Sequence, residues 1–413
     1  MTSMQVKQGW KEMKLSDLAD VTSSKRIYYS EYVESGVPFY RSREIIETYN
    51  NKEITLDLFI SEEKYDEIKE KFGVPQGGDI LITSVGTLGI PYQVKSNDKF
   101  YFKDGNLIWL RNLVDEFVMS DFLYYWITDE HTQSRLKNVS IGSSQKAFTI
   151  SAIKEVTVQL PPLKTQQKIA SILSAFDDLI ENNTKRIKIL ENTAQLIYKE
   201  WFVDFKFPGH EKVRMVPVKT ETIHELSLRE IPEGWEVKRV GDLVTIRKGK
   251  NITKKTIVDG IVPVVAGGLT PAYYHNVGNI QEPVVTISAS GANSGYINMY
   301  HESIWASDCS YIDKTVTENV YFYYLFLKIN QEQVTGLQRG SAQPHVYPKD
   351  LMLLEITAPP SSIIQQFSNL IESVFLELKF LQRKNEKLQK TRDLLLPKLL
   401  SGEIEVDNLT IKQ

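Results

Sequence analysis

The chain has 413 residues, 42% of them hydrophobic, with 49 Lys and Arg against 52 Asp and Glu. That length predicts two or three domains, each able to bury a core, and the net charge of −3 argues against a protein that coats nucleic acid through charge alone. One cysteine, Cys309, excludes an internal disulfide and a multi-cysteine zinc site; with no secretion signal and no apolar run near the ~18 residues of a membrane span, a cytoplasmic location and no membrane partner are expected.

Trp10, Asp17 and Leu18 open a globule expected over residues 1–160. Ile80–Thr83 and Leu107–Leu110 are short β-type runs bounded by Gly or Asp-Gly. Ser61 to Phe72, closed by Gly73, predicts a helix with a serine cap. Asp121–Ile127 fits helix or strand, and Ile153–Leu160 predicts a strand leading into Pro161-Pro162. Over 161–207, Ile169, Ile172, Phe176, Ile180, Asn183, Ile187, Leu190, Ala194 and Ile197 are spaced by three or four, which predicts a long helix with a heptad seam. Residues 208–234 read as a linker.

The order then repeats. Trp235, Asp242 and Leu243 open a second globule over 235–358, in which Val284–Ile287 answers the Ile80 run and Tyr321–Leu327 the aromatic run. Gly142-Ser143 with Gln145 returns as Gly340-Ser341 with Gln343, and Pro161-Pro162 with Gln166-Gln167 returns as Pro359-Pro360 with Gln365-Gln366. Pro38 to Gly86 spans 48 residues and Pro263 to Gly291 only 28, so the first copy carries an insertion, placed at Ile45–Phe72. In the last segment, 359–413, Phe367, Ile371, Val374, Leu378, Leu381, Asn385, Leu388, Arg392 and Leu395 alternate by four and three, and Pro397 is expected to stop the helix. The expected fold is α/β: two repeated domains, each followed by a long helix, the helices pairing as an antiparallel coiled coil with pseudo-twofold symmetry. Ile172, Phe176, Leu190, Ile197, Ile371, Leu378, Leu388 and Leu395 form its seam, with one asparagine in each helix, Asn183 and Asn385, to set the register.

The residues Leu160 to Ile180, Tyr198 to Phe205 and Leu394 to Ile404 resemble the helical regions of the specificity (S) subunit of type I restriction-modification enzymes. The Trp and Asp-Leu openings of both globules resemble the start of that family's target recognition domains. The resemblance implies that each globule reads one half of a split, asymmetric sequence in double-stranded DNA, with the helices as a ruler between halves. It implies two adenine methyltransferase (M) subunits and ATP-dependent translocase-nuclease (R) subunits as partners, and no catalysis or cofactor in this chain. A coiled-coil adaptor for two protein ligands is the alternative.

The residue inventory agrees. There is no Gly-x₄-Gly-Lys-Ser/Thr phosphate loop. Leu160-Pro-Pro-Leu163 lacks the polar residue of an amino-methyltransferase motif. The six histidines are scattered singly. DNA contacts need cations for phosphate and amide or guanidinium groups for base edges. The candidates are Lys25, Arg26, Arg41, Arg43, Ser143, Ser144, Gln145 and Lys146 in the first globule, and Arg247, Lys248, Lys250, Lys254, Lys255, Gln338, Arg339, Ser341 and Gln343 in the second. The glycine turns Gly86–Gly89 and Ser290–Gly295 are expected to be scaffold turns that approach the DNA backbone.

Overall fold

The computed structural model describes residues 7, 9–50, 52, 54–142, 146–218, 230–340 and 342–406. One compact unit comprises the chain up to Glu181 together with the residues from Glu386; the other is the continuous stretch Asn182–Asn385.

In the first unit a four-stranded antiparallel sheet has the order Asp20–Thr22, Leu107–Arg111, Ile80–Thr83, Pro91–Gln93. Successive strand residues point to opposite faces. Ile80 and Ile82 therefore join Ile108, Leu110 and Phe122 in one core, while Leu81, Leu107 and Trp109 join Phe102 in another. A strand covered on both faces has no position left for a polar side chain, which is why the Ile80 run is apolar without alternation. The second sheet has the order Tyr32–Val33, Phe59–Ile60, Val37–Tyr40, Tyr101–Phe102, its last pair parallel. Lys11–Lys14 pairs with Thr157–Leu160.

The aromatic run that fitted either state is a helix, Ser120–Thr128, with Phe122, Leu123 and Trp126 buried. Ile153–Leu160 is not one strand. Thr149 Oγ1 accepts from Ala152 N at 3.1 Å and caps a helix over Ile150–Lys154, so the strand begins only at Thr157. The inserted segment folds into two helices, Ser42–Tyr49 and Glu62–Lys71, the second capped by Ser61 Oγ.

The second unit repeats the scheme. Its four-stranded sheet runs Arg247–Lys248, Cys309–Asp313, Val284–Ser288, Ile297–Tyr300, and a three-stranded sheet runs Tyr273–His275, Val262–Val265, Trp305–Ala306. Glu236–Arg239 pairs with Glu355–Ala358 as Lys11–Lys14 does with Thr157–Leu160. The helix Val320–Ile329 covers Val285, Ile287 and Ile312, and Trp235 packs among Phe202, Phe205 and Phe207.

The two long helices are Leu163–Phe202 and Ser361–Leu400, 40 residues each. In the second unit they pack antiparallel. Asn183 Nδ2 donates to Asn385 Oδ1 at 2.8 Å, Arg186 meets Glu377 at 2.7 Å, and the Phe202 and Phe367 rings lie 4.8 Å apart. In the first unit Arg392 pairs with Asp177, which also accepts from the Tyr125 hydroxyl at 2.7 Å, and Ile169 and Leu173 share a core with Leu396 and Leu399. Towards its two ends the first long helix buries a wider stripe than two positions per heptad, taking in Leu173, Tyr198 and Phe202. Gln166 is buried there: it accepts from Met119 N (2.9 Å) and donates to the Phe117 and Pro161 carbonyls. The second Gln pair does not repeat this docking. Counting from Pro-Pro, Ile364 holds the equivalent place and packs on the core, while Gln365 and Gln366 are exposed.

Pro397 does not stop the second helix, which runs on to Leu400. So close to the end proline removes one intrahelical bond without displacing the following turn. The stop is Gly402, at φ +67°, with Gly402 N donating to the Leu399 carbonyl and Ile404 N to that of Lys398.

Candidate nucleic-acid interface

Each unit gathers distant segments around one short loop at the end of its four-stranded sheet. In the first unit that loop is 103–106. Ser84 N and Ser42 Oγ both donate to the Asn106 carbonyl, at 2.8 and 3.2 Å. Arg26 Nε meets Asp104 at 2.8 Å, and Ser23 Oγ bonds the Leu107 carbonyl. The glycine turn after Ile80–Thr83 therefore lies beside the loop after Asp20–Thr22 and the start of the inserted helix. Ile141 and Ala147 join them: the two exchange both backbone bonds at 2.9 Å, Phe148 N donates to the Ser84 carbonyl, and Val85 bridges to Ala147.

In the second unit the loop is 306–308. Lys250 N donates to the Ala306 carbonyl (2.9 Å), Gly249 N to that of Cys309 (2.8 Å) and Ala289 N to that of Asp308 (3.2 Å). Arg339 and His345 exchange both backbone bonds at 2.9 Å, and Val346 N reaches the Ala289 carbonyl. Three segments far apart in the chain, at 247–255, at 289–295 and at Arg339 with His345, thus share one sheet end.

A side chain not singled out in the sequence holds the glycine turn in both units. Gln133 Nε2 donates to the Gly89 carbonyl at 2.6 Å, and Gln331 Nε2 to the Gly295 carbonyl at 2.8 Å. Gly89 and Gly295 sit at φ +85° and +86°, where a Cβ would press on Gln133 or on the Thr335 backbone. The signal was available: each glutamine stands nine residues before the glycine of its Gly-Ser pair, Gly142 or Gly340.

The candidate cations divide by partner. Arg41 lies 2.8 Å from Glu44 and also pairs with Asp57; Arg43 lies 2.8 Å from Glu44 and 3.0 Å from Asp57. Burial pushes the Glu44 carboxyl up, but its hydrogen bonds with Arg41 outweigh this and hold it below the ordinary range. Lys25 lies over the Phe72 ring, and Lys146 is exposed. In the second unit Arg247 donates to Thr315, and Arg339 pairs with buried Asp350 at 2.7 Å. Lys248, Lys250, Lys254 and Lys255 are exposed and have no carboxylate partner among the described residues. Gln338 Nε2 is bound to the Ser294 carbonyl, and Gln343 is exposed. Ser143, Ser144, Gln145 and Ser341 lie outside the described residues.

A family model described as "Type I restriction modification DNA specificity domain" matches residues 7–192 and again 232–390. The chain belongs to this family. It is 28% identical to the MjaIX specificity subunit of a type I restriction enzyme from Methanocaldococcus jannaschii, with 98% of this chain and 95% of that protein covered. It is 24% identical to the HindI specificity subunit from Haemophilus influenzae, with 96% and 99% covered. Its fold is shared with the type I restriction-modification S subunit from M. genitalium, at a TM-score of 0.59 and 16% identity over 97% of each chain. That one specificity-domain model matches twice agrees with the repeated sheet order, and the type I specificity fold so assembled is mixed α/β with two long helices packed together. No helix among its described residues is long and apolar enough to cross a membrane. Burial pushes the Cys309 thiol up to about 12, leaving it a neutral packing group.

Proposed function

We propose that this chain is the non-catalytic, sequence-reading subunit of a type I restriction-modification enzyme. Its target recognition domains, 1–160 and 235–358, each read one half of a bipartite, asymmetric site in duplex DNA. The helical segments 161–207 and 359–413, joined through the linker 208–234, set the gap between the halves. Two methyltransferase subunits and the translocase-nuclease subunits act at the site so chosen, in the cytoplasm. The observation that carries this reading is the repeated sheet end, where one backbone arrangement in both units displays different side chains. Such a surface suits two different half-sites. Exposed Ile189 and Leu196, seven residues apart on the first long helix, and Leu376 and Phe380 on the second, support partner docking along the helices.

Gel-shift titration of the chain co-expressed with its methyltransferase tests the reading. Sequence-preferring binding that weakens steeply with salt is expected. Binding without preference or salt dependence would sink it and favour the adaptor alternative.

A further inference from the structure

Beside each sheet end lies the same 3₁₀ turn. In the first unit it spans Tyr29–Glu31 and in the second Lys254–Thr256. The internal bonds match. Glu31 N donates to the Tyr28 carbonyl and Thr256 N to the Thr253 carbonyl, both at 2.9 Å. Tyr28 N is held by Glu31 Oε2 and Thr253 N by Thr256 Oγ1. Each turn is tied to its loop from the N-terminal side, by the Arg26–Asp104 pair in one unit and by Ile252 N with Ser307 Oγ in the other.

The backbones agree and the chemistry does not. Tyr28-Tyr29-Ser30 stands where Thr253-Lys254-Lys255 stands. Tyr28 and Tyr29 are 64% and 89% exposed, so most of each side chain stays in water. Among the described residues the Tyr29 ring makes one ring contact, edge-on with Tyr32 at 6.1 Å. Behind the tyrosines, Arg26, Arg41 and Arg43 are all neutralised by carboxylates, whereas the lysine turn continues a run of cations without such partners among the described residues.

We infer that the equivalent turns contact DNA in different ways: Tyr28 and Tyr29 make a charge-free aromatic contact with bases that carries sequence discrimination, and Lys254 and Lys255 bind phosphate. This rests on the DNA-reading function proposed above. An uncharged aromatic side chain packed on base edges in a groove releases no counterion, and through apolar contact with a thymine methyl it distinguishes one base pair from another. A lysine at a phosphate releases a counterion and carries no sequence information.

The test uses the full chain with its methyltransferase subunits. The probe is a duplex bearing the sequence at which cells carrying both methylate adenine, compared with duplexes in which either half is scrambled. Lys254→Ala with Lys255→Ala should reduce the slope of log affinity against log salt by about 2 and leave the preference for the intact site unchanged. Tyr28→Ala with Tyr29→Ala should leave that slope unchanged and lower the preference roughly tenfold, for one half only. Tyr29→Lys with Ser30→Lys should add about 2 to the slope. All five native side chains are exposed at the turns, and an unchanged thermal midpoint verifies folding. A tyrosine variant that keeps full preference, or that weakens binding through the salt slope, overturns the inference while the DNA reading stands. Absence of preference in the unaltered complex overturns the DNA reading itself.

Discussion

Gln331 shows how one side chain can hold a loop in place. It ties Gly295 to the helix Gln331–Gly336 and also accepts from Ile297 N at 3.2 Å. Gln331→Ala strands buried backbone groups, a loss of about 1–3 kcal/mol. Amide exchange across 289–295 should accelerate, and DNA affinity should fall with it; unchanged exchange would show that the turn holds itself. His301 makes a prediction in pH. Burial lowers its pKa, Lys379 and Arg383 push the same way, and Gln382 and Glu282 oppose them. The folded imidazole stays neutral where the unfolded one, near 6.5, takes up a proton. The unfolded state then binds more protons, so this contribution to stability is whole above pH ~6.5 and is lost as pH falls below it. The second unit should melt lower at pH 5.5 than at 7.5, and His301→Gln should flatten that difference. Neither residue announced its role as a single letter. Glutamine and histidine acquire these functions from the groups that folding places around them.

At the scale of elements, the asparagine pair is the clearest case of a sequence signal carried into structure. A polar residue midway along an apolar seam requires a partner, and Asn183 and Asn385 partner each other. Asn183→Leu alone leaves Asn385 short of a hydrogen bond and should destabilise the second unit by about 1–3 kcal/mol. Leucine at both positions should recover most of that loss, a non-additivity visible in denaturant midpoints. The helices were legible because period and length agree over 40 residues. The Ile80 and Val284 strands were legible because β-type runs between glycines leave few alternatives. Ile150–Lys154 was not, since five residues carry too little period and the decisive feature is the Thr149 cap. Pro397 misled because its effect depends on how many residues follow it before the helix ends. At the sheet ends, Arg41 and Arg43 looked like free cations only until their neighbour Glu44, and Asp57 from the inserted segment, came into view.

For the whole molecule, the proposed function makes the gap between half-sites a property of the helices alone. Seven residues of helix measure about 10 Å, roughly three base pairs at 3.4 Å each. Removing one heptad from each long helix should shorten the gap in the methylated sequence by about that many pairs and leave both half-sites as they were. Altered half-sites would show that the helices do not act as a spacer.

The division of the chain also sets an order of assembly. The second unit is one uninterrupted stretch, Asn182–Asn385, whereas the first is completed by residues from Glu386 onward. Ile169 and Leu173 are covered with the help of Leu396, Leu399 and Val406. On the ribosome, the unit begun first is therefore the unit finished last. Its helix must wait with an uncovered apolar face until the whole of the other unit has been synthesised. A nascent chain in that state invites a chaperone, and a message broken after Asn385 would yield a product that holds one finished unit and one permanently open one.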